Sequence, residues 1–408
     1  MRPADRRRPR WPAPGQIRLP WRFGTGMVEV EDGTTIDLVD LPQPVPADGG
    51  TRTVDGDGAP PDGAAPGTGA PRSQVVRLAV FVVVLVLGTV LALVTVWTTG
   101  PPTVDELRRR AGLSGREELV VGVFGDVPRI SEWHEGGVYT GFDVEIAYLI
   151  ANAWGFSRQQ VRFLEVTTED RQRMQGIRHG GTSYEPVDLV VASYSITDRR
   201  EREGTVFAGP YLRTEPAVLT AIGHPPVTSL SALGTGGGRG GEEPQRVCTP
   251  GTSTSLDRLR AESKARIFAV QRSSECVAGL RAGTYDAVVT DAAILAGFAA
   301  RYPTELKLNN PATTADEWWG VQVGYDPRHG DRRAAARKVL ALLALEDALD
   351  GRSWREAFDS QLAPLTEQIR PPAGERPQAV ADSRQPSPWG QASVRRWPWE
   401  RFDDSRTP

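Results

Sequence analysis

Residues 78–97 read LAVFVVVLVLGTVLALVTVW, twenty apolar or small residues broken by no charge. A helix of that length crosses about 30 Å of hydrocarbon. A buried core helix is the alternative, but globular helices keep a wet side and this one has none. A cleaved signal peptide is the second alternative. It fits poorly, because some 77 residues precede the run and the following TTGPPT offers no small-x-small cleavage site. Met27 could open a shorter chain and change that arithmetic. The run therefore reads as an uncleaved anchor over 76–98, which divides the 408-residue chain into a short N-terminal part and a long C-terminal one.

The two parts differ in composition. Residues 1–75 are crowded with Pro, Gly and Asp and read as a disordered tail; residues 371–408, with Pro371, Pro372, Pro377, Pro386 and Pro388 and scattered Trp389, Trp397 and Trp399, read alike. Only the centre has the apolar pattern of a core. The net charge of −3 and the lack of a basic aromatic stripe give no case for a nucleic-acid partner.

After a linker at 99–116, strand patterns (ELVVGVF, VRFLEV, DLVVAS) alternate with helical ones at 143–154 and 169–179. That alternation predicts an α/β fold with a mostly parallel sheet, whose ligands sit at the carboxyl ends of the strands. The loops after 124, 166 and 192 share that edge. Residues 125–136 read as a loop. A second set of strands follows: 217–222, RVCT (246–249), IFAV (267–270) and DAVVTD (286–291), with a glycine-rich insertion at 234–241. Trp318–Gly324 and the helices 331–349 and 354–362 return to the first set.

The segment EPVDLVVASYSITDRREREGTVFAGPY (185–211) is the most chemically pointed. It places Ser193 and Ser195 in a hydroxyl-rich turn with Arg200 at the start of the next helix, a set suited to a carboxylate. The bland alternative is that Arg199, Arg200 and Arg202 form a solvated helix face.

This stretch resembles one in the bacterial extracellular solute-binding proteins of family 3, the amino-acid receptors of ABC importers. GVYTGFDVEIAYLIANAWG (137–155), SECVAGLRAGTYDAVVTDAAILAGFAARYP (274–303) and WWGVQVGYDP (318–327) resemble further pieces of that family, in the same order, over roughly 117–370. The wording of VASYSIT and VVTDAAILAG is similar to that of actinobacterial glutamate-binding proteins.

The resemblance implies a two-lobed periplasmic-binding-protein type II fold with two crossover strands. Lobe 1 would be 117–219 with 323–370, and lobe 2 would be 220–322. It implies a hinge whose closure traps an amino acid without cofactor or metal. Arg200, Ser193 and Ser195 would hold the α-carboxylate, with Thr252 and Ser253 adding donors at a helix N-terminus. Asp291 would hold the α-ammonium. The alternative for both the GTS turn and Asp291 is a plain helix cap.

Thr168 and Arg171 match the T/S-x-x-R turn of glutamate-binding relatives and would hold a distal carboxylate, with Arg129 a second candidate. Pairing of Arg171 with Glu165 or Glu169 on the surface is the alternative. The run GDVPRISEWHEG departs from the relatives, which leaves glutamate, aspartate and glutamine all open.

The two cysteines, Cys248 and Cys276, lack the neighbouring His or Cys that zinc needs and read as a disulfide, as in actinobacterial relatives. An oxidising exterior follows. The lobes are then extracytoplasmic and the N-terminus cytoplasmic, although Arg72 and Arg77 on one side and Arg108, Arg109 and Arg110 on the other leave the positive-inside count undecided.

The resemblance implies ABC permease subunits as partners. Ligand sensing through the anchor is an alternative function on the same fold. A cyclic-acid dehydratase is a more remote one, with Glu132 and Glu135 as its only nearby loop carboxylates. About 38 residues after 370 are too few for the peptidoglycan lyase domain of other relatives.

Overall fold

The computed structural model describes residues 72–234, 243–311, 316–350, 352–368 and 394–395. Met27, most of both expected disordered tails and nearly all of the glycine-rich insertion lie outside the described residues.

Helix α1 (Arg72–Thr99) contains the apolar run, and its large side chains from Val75 to Val94 are exposed all round. Residues Gln74–Thr95 meet the length and composition of a membrane span. The expected linker is partly folded: Thr103 caps α2 (Val104–Arg110), accepting the Glu106 N–H at 3.3 Å, and Val104 and Leu107 are buried. Its apolar i, i+3 pair gives this short segment a face to bury, which a solvated linker lacks.

Lobe 1 begins with β1 (Leu119–Val123), buried at every position. The expected loop at 125–136 is instead most of a small antiparallel sheet, β2 (Asp126–Val127), β3 (Ser131–His134) and β4 (Val138–Thr140). Gly141 follows at φ 129°, where a Cβ would stand 2.4 Å from Ile130 O, so the turn into α3 (Phe142–Trp154) requires glycine.

Next come β5 (Val161–Glu165) and α4 (Asp170–Arg173). The helix expected to reach 179 stops there, because Met174 takes a left-handed φ of 53° and the chain returns as β6 (Gln175–Ile177) against β7 (Tyr184–Pro186). Strand β8 (Leu189–Ser195), α5 (Asp198–Arg202) and β9 (Thr205–Thr214) complete the first pass.

Lobe 2 opens on β10 (Pro216–Ala221), one residue beyond β9. It continues through β11 (Arg246–Pro250), α6 (Thr254–Glu262), β12 (Arg266–Val270), α7 (Ser273–Arg281), β13 (Ala287–Asp291), α8 (Ala292–Arg301) and β14 (Leu306–Asn309). Strand β15 (Glu317–Tyr325) crosses back into lobe 1, where α9 (Arg332–Asp350) and α10 (Ser353–Gln361) pack; α11 (Ala363–Gln368) follows.

The lobe 1 sheet has the order β7-β6-β5-β1-β8-β15-β9 and the lobe 2 sheet β12-β11-β13-β10-β14. In each, three neighbouring strands are parallel, β5-β1-β8 and β12-β11-β13, and the remaining pairs are antiparallel. The sheets are therefore more mixed than the alternation alone predicts, because the crossover strands β10 and β15 enter from the opposite direction and β6 and β7 add two further antiparallel pairs. The two lobes are those of a type II periplasmic binding protein.

Lobe 1 is closed by aromatic packing. Trp354 is fully buried, donates its indole N–H to Tyr211 O at 2.7 Å and meets the ring of Phe142 edge-on. In lobe 2, Cys248 of β11 and Cys276 of α7 form the expected disulfide, with Cα atoms 5.4 Å apart.

Candidate functional site

The carboxyl ends of the central strands meet between the lobes. Phe124 follows β1, Thr168 follows β5 and Ser193 lies near the end of β8. Facing them from lobe 2 are Ser253, at the cap of α6, and Asp291, at the end of β13. They surround a narrow cavity of about 20 Å³, roughly the room of one water molecule. Thr168, Arg171, Ser193, Ser195, Arg200, Ser253 and Asp291 all line it.

Two guanidiniums reach this space from lobe 1. Arg171 and Arg200 are each 4% exposed, and their Cζ atoms lie 4.3 and 4.5 Å from the centroid of the Tyr194 ring. Arg171 donates through Nη1 to Ala192 O at 3.0 Å and Ser193 O at 3.1 Å. Those bonds replace the surface pairing with Glu165 or Glu169 that the sequence left open. Burial, then the charge of Arg200, pull the Arg171 pKa down to about 10, so it remains a cation at neutral pH. Arg200 donates to Ser195 O at 2.6 Å and Thr252 O at 2.9 Å, and burial lowers its pKa also. Arg200 is buried rather than solvated. Cations that bond only to carbonyl oxygens keep their charge for an anion brought between them.

Asp291 faces them from lobe 2. It is 4% exposed, and Oδ2 accepts the Trp319 indole N–H at 2.6 Å. Burial, then the nearby charge of Glu317, push its pKa up to about 7, against the lowering pull of that indole and of Arg171 and Arg200. Although Asp291 occupies the cap position of α8, its side chain makes no capping hydrogen bond. The plain-cap alternative therefore does not describe it.

Ser193 has a left-handed φ of 45°, and both its N–H and its hydroxyl donate to Asp143 Oδ2, at 2.7 and 3.0 Å. Tyr211 donates to the other oxygen of Asp143 at 2.8 Å. Burial raises the Asp143 pKa to about 6 against these bonds. The donors of Ser193 are thus committed, and the residue contributes the shape of its turn.

Thr252, also left-handed at φ 52°, crosses between lobes, donating its hydroxyl to Thr168 O at 3.0 Å. It is exposed and does not line the cavity that Ser253 lines. The Ser253 hydroxyl accepts the Leu256 N–H at 3.1 Å and donates to Pro250 O at 2.6 Å, a helix cap. Thr168 Oγ1 is buried with no hydrogen-bond partner. Arg129 is exposed and lies outside the cavity lining. Its expected ligand role is not supported, because β2 and β3 hold it on the outer turn of the small sheet.

Further contacts join the lobes around this space. Arg272 pairs with the buried Glu165 at 2.9 Å, and within lobe 1 His179 Nδ1 donates to the same carboxylate while its ring stacks on Trp133 at 3.6 Å. Arg199 pairs with Asp257 at 2.9 Å and Arg301 with Glu132 at 2.5 Å. Pro128 O lies where Gly297 of α8 could carry no Cβ, at 2.2 Å. The small sheet is thereby clamped on lobe 2. Among the described residues no group of three or more His, Cys, Asp and Glu could hold a metal ion.

Asp143, Tyr194, Tyr211 and Trp319 were not anticipated as site residues. Asp143 stands in GFDVE, where an acid inside an apolar helix face is the signal that could have revealed it. The other three read as ordinary core aromatics.

No family model matches the chain. Glutamate-binding protein GluB of Corynebacterium glutamicum is 26% identical over 221 residues, covering 52% of this chain and 69% of the relative. The ABC transporter glutamine-binding protein GlnH of Bacillus subtilis is 27% identical over 215 residues, covering 52% and 72%. A solved solute receptor for L-cysteine of Neisseria gonorrhoeae superposes with a TM-score of 0.52 at 22% identity, over 66% of this chain and 97% of that one. The chain is therefore similar to a glutamate-binding and a glutamine-binding protein, and shares the two-lobed fold of the solved receptor.

Proposed function

We propose that this relative of the glutamate- and glutamine-binding proteins is a membrane-tethered receptor that closes on one amino acid with an acidic side chain. One observation carries the reading: Arg171 and Arg200 from lobe 1 and Asp291 from lobe 2 line the same interlobar space. Arg200 holds the α-carboxylate, Asp291 the α-ammonium, and Arg171 with Thr168 the distal group.

Charge supports an anionic ligand. Two guanidiniums against one carboxylate leave one positive charge, which glutamate or aspartate neutralises and glutamine does not. Buried charge is costly unless paired, so the neutralised complex is favoured. Three backbone carbonyls already occupy part of Arg171. Its free edge then selects the distal group by geometry.

The function is binding, as the names of both curated relatives state of those proteins. α1 holds the receptor in the cell membrane with its lobes extracytoplasmic, a placement supported by the apolar span and by the disulfide, which persists in oxidising compartments. Similarity to GlnH, named as an ABC transporter protein, supports delivery to an ABC permease.

Thermal unfolding of the full chain in detergent against the twenty amino acids tests this. A rise of several degrees is expected with glutamate or aspartate, a smaller one with glutamine, and none with lysine. Stabilisation by no amino acid contradicts it.

A further inference from the structure

Outside the inner cavity the two lobes enclose a second and much larger space. It measures about 530 Å³, against about 20 Å³ inside, and falls within the range of small-molecule sites. Lobe 1 walls it with α4 and α5, and lobe 2 with α6 and the turn before that helix. Thr168 and Arg200 line both spaces, so the outer groove adjoins the inner cavity. The grip formed by Arg171, Arg200 and Asp291 leaves this groove without a role.

The polar side chains of the groove fall into two groups. Arg199 is committed: it pairs with Asp257 across the lobes at 2.9 Å and reaches Glu203 at 4.0 Å. Gln172 donates to Glu203 at 3.5 Å. Arg173 of α4, Arg260 of α6 and Glu169 are exposed, and none of the three pairs with or hydrogen-bonds to another described residue through its side chain. Thr168 Oγ1 and the Tyr194 hydroxyl, on residues only 7% and 4% exposed, also have no partner among the described residues. A single unpaired arginine is ordinary on a solvated face. Arginines from both lobes that share one groove with two buried, unpartnered hydroxyls are not, because a buried polar group without a partner is costly.

The unpaired charges are two guanidiniums and one carboxylate. Arg171, Arg200 and Asp291 make the same set inside. A dicarboxylic amino acid, with two anionic groups and one ammonium, complements each set in turn. Four arginines against three acids also leave the groove net positive, which draws an anionic ligand toward it.

Two bonds stand between groove and cavity. Arg200 donates to Thr252 O at 2.9 Å, and Thr252 donates to Thr168 O at 3.0 Å. A carboxylate in the groove that displaces the Thr252 carbonyl meets the guanidinium that holds it inside. Arg200 can then pass the ligand inward without releasing it.

We propose that this groove is the entry site of the receptor, where Arg173, Arg260 and Glu169 hold a dicarboxylic amino acid before Arg200 takes it into the inner cavity. The proposal rests on the reading that the inner site binds such an amino acid.

The test measures release of radiolabelled L-glutamate from the full-length protein after dilution. Combined with the Kd from calorimetry, it gives both rate constants. R173A/R260A removes two exposed, unpaired side chains, so the variant keeps the fold. The two arginines hold the ligand only on its way in and out, so association and release should slow together. At low salt both should fall by about five-fold or more, with Kd within about two-fold of the wild type. The difference should close in about 1 M salt, where charges are screened within about 3 Å. Wild-type rate constants in R173A/R260A overturn the proposal and leave the inner grip standing. A weaker Kd caused by faster release alone also overturns it, since that would put the two arginines on the bound ligand. Failure of the wild type to bind glutamate or aspartate overturns the inner grip and the proposal together.

Discussion

The indole of Trp319 donates to Asp291 Oδ2 at 2.6 Å, and the two residues belong to different lobes. Trp319 sits in the returning crossover strand, paired on one side with Ser195 and on the other with Leu212. The strand that connects the lobes therefore also orients the acid that faces the two arginines. A hydrogen bond to a charged group contributes about 1.5–3 kcal/mol. In W319F this oxygen loses its donor and the Asp291 pKa rises further, so calorimetry should show amino-acid affinity weakened about ten-fold or more. Unchanged affinity would remove Trp319 from the account.

Affinity should also depend on pH through Asp291. Its pKa stands at about 7 against an ordinary 3.8, raised by burial and Glu317. An ammonium ligand needs the ionised form. Below pH 7 the unliganded protein must first release a proton, so affinity falls by up to about ten-fold per pH unit until the carboxylate of the complex itself titrates. Above pH 7 it levels off. For folding the sign is the reverse of a salt-bridged acid. Asp143 and Asp291 bind protons more tightly folded than unfolded. Their contribution to unliganded stability is therefore largest near pH 4 and is lost as pH rises through about 6 and 7. Denaturant titrations with and without glutamate at several pH values separate the two effects.

The pair Glu165–Arg272 joins the lobes away from the ligand. Glu165 is almost fully buried, and Arg272 is one-quarter exposed. R272A leaves that carboxylate with His179 alone and should weaken ligand binding by about 1–3 kcal/mol, below the cost of a fully buried pair because solvent screens the outer side. The lobes themselves should keep their unfolding midpoint within a few degrees in the absence of ligand. Small-angle scattering should show less compaction on adding glutamate than in the wild type.

The disulfide closes 28 residues of lobe 2. Cross-linking a loop of that length lowers the entropy of the unfolded chain, worth about 3–4 kcal/mol. C248S/C276S should lose about that much stability in urea while its glutamate affinity, measured at a temperature where it is folded, changes little.

Much of the fold was legible because the main strands and helices β1, α3, β5 and β8, and again those from Arg246 to Arg301, alternate in pattern. Arg171, Arg200 and Asp291 were singled out mainly by the resemblance, and the structure brings all three to the edge where such sheets bind ligands. Arg129 misled: its position after β1 is right, but the small sheet β2-β3-β4 turns it outward. The antiparallel pairing of β6 with β7 was hidden behind a helix-compatible composition, and only the left-handed Met174 ends α4. The roles of Ser193, Thr252 and Ser253 divide along lines that spacing does not reveal. Their hydroxyls are consumed by Asp143, Thr168 and Pro250, so the first two shape turns and the third caps a helix. Tyr194, whose ring two guanidiniums approach, looks like any core aromatic until the strands are assembled.

The central claim is that one amino acid is gripped between Arg200 and Asp291. Isothermal titration of L-glutamate and L-aspartate into the full-length protein, beside R200A and D291N, tests it most directly. The account predicts saturable one-to-one binding of at least one of them in the wild type and its loss in both variants. Either variant binding with the wild-type affinity would contradict it.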